Sequence, residues 1–291
     1  MKKQKTEIEN LLEALEDNDK AKRFEALENL KTKIDIIDFF DEKGMIDNFM
    51  KFVNCQDIEI EEFTSDILCL FTDKLKEKEI CIIKNRIDAL IKKQDKAIAT
   101  KLILNYLHSL KLINYKPEYA DIIFKIYLYD KSEFKDDHSY FEKFKYEKAP
   151  EFFKKKFENY IADKKIEIAL RYEITYIYAH YLKLSGKTEE LEKFVIEKLN
   201  SNDEAERIIG TAAANPYPRK QYILPLIKCT KKEELKIKDA GGNLFLNKSA
   251  VSALRNYSVL NIQKAVYSDP SFEKMNYDPL KIKFDVELLS E

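Results

Sequence analysis

Leu15-Glu-Asp-Asn-Asp-Lys-Ala-Lys-Arg-Phe-Glu-Ala-Leu-Glu-Asn-Leu30 decides the fold, because pieces of it recur down the chain. Around Leu199 the sequence reads Leu-Asn-Ser-Asn-Asp-Glu-Ala-Glu-Arg-Ile-Ile-Gly. Five positions coincide: Leu15 with Leu199, Asn18 with Asn202, Asp19 with Asp203, Ala21 with Ala205 and Arg23 with Arg207. Weaker copies start at Val53, with Gln56-Asp57, and at Ile91, with Gln94-Asp95 and Ala97. Leu15, Val53 and Ile91 stand 38 residues apart each time. A period of this length marks a stack of supersecondary units, each unable to bury its apolar face alone.

The rest of the chain agrees with helices. Thr6-Glu7-Ile8-Glu9 fits a capping box, and Ile8, Leu11, Leu12 and Leu15 follow at helical spacing. Asp17-Asn18-Asp19 supplies turn and N-cap chemistry, and Phe24, Leu27, Leu30 and Ile34 are the expected buried face of the next helix. Gly44 is read as the stop of a helix over 36–43. Pro117 and Pro150 suit helix first turns, Ser185-Gly186 ends a long helix from Ile166, and Asn215-Pro216-Tyr217-Pro218 is a firm break. The register is lost between Tyr129 and Lys165. Only 5 Gly and 7 Pro in 291 residues argue against a many-turned β fold.

This pattern resembles the HEAT-repeat family, which places an Asp in the turn, an Arg four to six residues on, and small and Leu positions after it. Asp17 or Asp19, Arg23, Ala26 and Leu27 match, as do Asp203, Arg207, Gly210 and, less well, Thr211; Glu61 and Ala99 stand where Arg is due. The match covers Thr6–Leu110 and Lys187 to about Ala265. It implies an all-α fold, a right-handed α-α superhelix of stacked HEAT-like helical hairpins, irregular in the middle. It also implies a structural role for Asp19, Arg23, Asp203 and Arg207, tying neighbouring turns together. The expected organisation is one solenoid domain over 1–266, followed by a tail or arm over 267–291.

Chemistry is scarce by comparison. Lys+Arg 51 against Asp+Glu 52 leaves a net charge of −1, so a nucleic-acid role would have to sit in a local patch. His108, His138 and His180 lack metal-ligand spacing, Gly241-Gly242 lacks the Lys-Ser/Thr of a phosphate loop, and no nucleophile elbow occurs. Cys55, Cys69, Cys81 and Cys229 show no paired spacing and read as reduced thiols of a cytoplasmic protein. No cofactor, no metal and no membrane association are expected. Phe152-Phe153-Lys154-Lys155-Lys156-Phe157 interleaves aromatics with Lys, as single-strand binders do, but its apolar residues continue at helical spacing into Tyr160 and Ile161. The candidate partner-binding residues are Arg219, Lys220, Lys231, Lys232, Lys236 and Lys238, with Lys228 among them, beside the Asn215 to Pro218 break. The expected function is a non-enzymatic protein-interaction scaffold. The alternative is nucleic-acid binding resembling the HEAT-like DNA glycosylases, without that activity, since their sites lean on Trp and the chain has none.

Overall fold

The computed structural model describes residues 2–32, 42–55, 57–92, 96–129, 143–230, 237–238, 243–244, 246–258, 261–262, 264–265 and 268. Their regular secondary structure is helical, apart from a two-residue antiparallel ladder in which Ile237 and Lys238 pair with Leu244 and Asn243. The chain divides into two compact units, Met1–Tyr119 and Ala120–Glu291. The expected tail over 267–291 lies outside the described residues apart from Ser268.

In the first unit α1 (Lys2–Ala14) packs on α2 (Lys20–Thr32), and α3 (Glu42–Phe49) packs on α4 (Ile58–Cys69). Helix α6 (Lys96–Ser109) packs on both α4 and α5 (Glu77–Ile91), and α7 (Pro117–Tyr129) begins at its first-turn proline. The core is drawn from Leu27, Leu68, Ile83, Ile87, Leu102 and Leu107, each at most 1% exposed. Polar contacts fix how α4 and α6 run. Lys101 Nζ reaches Glu62 at 2.9 Å, Asn105 Nδ2 donates to Asp66 at 2.8 Å, and Lys111 Nζ reaches Asp73 at 3.1 Å. The first two pairs are each 39 residues apart, and a constant separation means the two helices lie parallel, about one sequence period apart.

The second unit repeats the scheme. Helix α8 (Phe152–Ala162) packs on α9 (Ile168–Leu184), α10 (Thr188–Leu199) on α11 (Glu204–Ala214), and α12 (Ile223–Thr230) on α13 (Leu246–Leu254). Alternate helices also touch: α9 with α11, α11 with α13, and α10 with α12. Here too the ties run parallel. Lys164 Nζ reaches Asp203 39 residues on, Arg171 Nη2 reaches Glu206 35 residues on, and Asn256 Nδ2 donates to the Asn215 carboxamide across 41.

Several sequence expectations change. Thr6 lies inside α1, which starts at Lys2, rather than at the start of that helix. Gly44 lies inside α3 and stops nothing; residues 33–41 are outside the described set, as is Ile34. Phe24 is 51% exposed, because α2 turns Ala26, Leu27 and Leu30 into the core instead. The expected end of α9 holds: Gly186 adopts φ 72°, the left-handed turn that lets the Lys187 amide donate back to Leu182 O at 2.9 Å.

The Phe–Lys run on α8 is a core stripe. Phe153, Phe157 and Ile161 are buried, with the Phe157 ring 5.8 Å from Tyr178 and 6.0 Å from Tyr181. Of its lysines, Lys154 pairs with Glu190 at 2.6 Å and Lys156 pairs with Asp121.

Candidate partner-binding edge

Two of the turns named from sequence have one geometry. Asp19 Oδ1 accepts from the Ala21 amide at 2.9 Å, and Asp203 Oδ1 accepts from the Ala205 amide at 2.9 Å, so each aspartate caps its helix through its side chain. One turn into each helix the arginine folds back over the loop. Arg23 Nη1 donates to Asp17 O at 3.0 Å and Asn18 O at 3.2 Å; Arg207 Nη1 donates to Ser201 O at 2.8 Å and Asn202 O at 3.1 Å. These carbonyls end the preceding helix or enter the turn, and the guanidinium satisfies them where no backbone amide can. Arg23 Nη2 also reaches Asp57, at the start of α4, at 3.5 Å.

A further rung escaped the sequence reading. Glu167-Ile-Ala-Leu-Arg171 aligns with Asp203-Glu-Ala-Glu-Arg207, with Glu167 and Asp203 at the N-cap positions of α9 and α11. Arg171 Nε donates to Ile161 O at 2.7 Å, and its Nη2 to Glu206 Oε1 at 2.7 Å. Glutamate replaces aspartate at the cap here, which hid the match. At Glu61 the rung is inverted in charge. Asn54, at φ 73°, turns its amide onto Glu61 Oε1 at 3.1 Å, and Arg86 grips both carboxylate oxygens at 2.6 Å each. Tyr106 OH donates to the same carboxylate at 2.9 Å, and burial pushes its own pKa far up, ahead of the effect of Glu61. Glu61 is 1% exposed and Arg86 7%, so the pair is buried and closed. Ala99 supplies no polar side chain and is buried.

The basic edge is less free than its composition suggests. Arg219 Nε pairs with Glu192 Oε1 at 2.7 Å, and Gln221 Nε2 donates to Glu192 Oε2 at 3.0 Å. The guanidinium carbon lies over the Tyr217 ring, 4.1 Å from its centre, a cation–π contact. Lys220 and Lys228 are exposed. Lys238 sits in the two-residue ladder, while Lys231, Lys232 and Lys236 lie outside the described residues. The loop carrying Arg219 is tied at several points: Lys183 Nζ donates to Pro216 O at 3.0 Å, Asn256 Nδ2 to Asn215 Oδ1 at 2.7 Å, and Tyr257 OH to Arg219 O at 2.9 Å. Glu192, Pro218, Lys220, Asn256, Tyr257 and Asn261 line an open polar groove beside Arg219.

Among the described residues no three His, Cys, Asp or Glu side chains are placed to hold a metal ion, and no helix is long and apolar enough to cross a membrane. His138 is outside the described set. No protein-family model and no curated protein matches the chain.

Proposed function

We propose that the chain is a non-enzymatic protein-binding scaffold, built as a right-handed superhelix of HEAT-like hairpins, that engages its partner along the edge formed by the turns around Arg219. The observation that carries this reading is the recurrence of parallel ties at close to one sequence period. Asp66–Asn105 and Asp203–Lys164 are 39 residues apart, and Arg219–Tyr257 are 38 apart. Parallel helices at one period bring equivalent turns to the same end of a stack, which is how solenoids make extended binding surfaces from loops. The partner-facing groups we assign are Arg219, Lys220 and the lysines that follow, Lys231, Lys232, Lys236 and Lys238.

Capture from native lysate, with and without nuclease and at low and moderate salt, tests this reading. The expected result is a discrete protein that survives nuclease. Nucleic acid that elutes steeply with salt, and no nuclease-resistant protein, would contradict it.

A further inference from the structure

Arg219 is held in a way that a solvated surface arginine is not. Tyr257 OH accepts from the Arg219 amide at 2.9 Å and donates to the Arg219 carbonyl at 2.9 Å, so one hydroxyl clamps both backbone groups of the residue. Burial holds the Tyr257 hydroxyl up to about 12, against the backbone bond to Arg219 that lowers it, so it stays protonated and able to donate. The side chain is fixed as well: Nε is anchored on Glu192, and the guanidinium carbon lies over the Tyr217 ring. Neither Nη1 nor Nη2 has a partner among the described residues, and the side chain is 43% exposed. A long, flexible side chain is thus immobilised while two of its donors stay open to the groove. Side-chain ordering is a cost that binding ordinarily carries, and here it is met within the fold.

Resting on the scaffold reading, we propose that the Nη1/Nη2 fork of Arg219 receives one carboxylate of an acidic peptide segment of the partner protein, laid in the groove of Lys220, Asn256 and Asn261. Paired guanidinium donors match the two oxygens of a carboxylate. Glu192 decides between peptide and nucleic acid. Its carboxylate lines the same groove, and it opposes a second closely spaced anion. Duplex nucleic acid brings one negative charge per roughly 1.7 Å of axis, whereas a peptide offers one carboxylate followed by neutral amides. Asn261 supplies a carboxamide of the kind that pairs with a peptide backbone, while the Asn256 Nδ2 group is taken by Asn215 and holds the wall of the groove.

The test is fluorescence anisotropy with a fluorescein-labelled polyglycine peptide carrying a single Glu, its Gln counterpart and a DNA duplex. The Glu peptide binds saturably and the other two do not. Arg219→Lys keeps the charge but loses the fork, and it weakens Glu-peptide binding by about tenfold. Tyr257→Phe, which keeps the ring but frees the loop, weakens it several-fold. Lys78→Glu, at an exposed position of α5 in the other unit, changes nothing; thermal melts confirm that each variant folds. Equal affinity for the Glu and Gln peptides, no saturable binding, preference for the DNA duplex, or an unchanged Arg219→Lys overturns the site. Wild-type yield of a nuclease-resistant partner by Arg219→Lys also overturns it, while leaving the scaffold reading intact. Failure of the scaffold reading itself shows as no such partner for either protein.

Discussion

Arg207 shows how much one side chain does in these turns. It is 4% exposed, and its Nη1 serves two loop carbonyls that no backbone amide reaches. Arg207→Met leaves those carbonyls unsatisfied, and the expected cost is about 2–3 kcal/mol in urea unfolding. Arg23→Met costs less, because Arg23 is 23% exposed and water can replace its bonds. Glu61→Leu strands Arg86 as a buried charge; about 3–5 kcal/mol is expected, with part recovered in the Glu61→Leu, Arg86→Met double variant. Glu206 gives the fold a pH dependence. Burial alone would raise its pKa, but hydrogen bonds from Lys198 and Arg171 outweigh that and hold it below the usual carboxylate range. A pKa lower in the folded than in the unfolded state makes the ionised form stabilising, and that contribution is lost as pH falls through the folded value. The melting-temperature gap between wild type and Glu206→Gln should therefore be open at neutral pH and narrow steadily as the pH falls below the ordinary carboxylate range. A gap unchanged across that range would show that Glu206 does not carry it.

At the scale of elements, α10 and α11 meet at Gly210. A Cβ built there lies 2.7 Å from the Leu199 backbone nitrogen, which cannot move aside without disturbing the end of α10. Alanine normally gains up to about 1 kcal/mol over glycine inside a helix. Here Gly210→Ala should instead destabilise by about 1–3 kcal/mol, read by thermal or chemical unfolding. The sequence placed Gly210 at the small position of the motif, and Asp203, Arg207 and the Pro216–Pro218 break were legible for the same reason: each needs a particular residue type. Arg171 was not legible, because its cap is Glu167 and its turn bonds to Ile161 O rather than to the two preceding loop carbonyls. Nor was the exposure of Phe24: apolar spacing fits more than one helix rotation, and the inward-folded Arg23 beside it belongs to the rotation that buries Ala26 and Leu27. At the basic edge, composition gave the charges but could not show that Glu192 already pairs with Arg219.

For the whole molecule, each unit carries the same device, in which helices alternate in sequence and run parallel at about one period. Lys101–Glu62 in the first unit and Lys164–Asp203 in the second are both 39 residues apart. That regularity is the feature on which the proposed scaffold reading rests. The decisive measurement is capture from nuclease-treated lysate by wild type and by an Arg219→Glu, Lys231→Glu, Lys232→Glu triple variant of equal thermal stability. A scaffold that binds through this edge yields a discrete partner with wild type and loses it with the variant. The same partner at the same yield from both proteins would contradict binding at this edge.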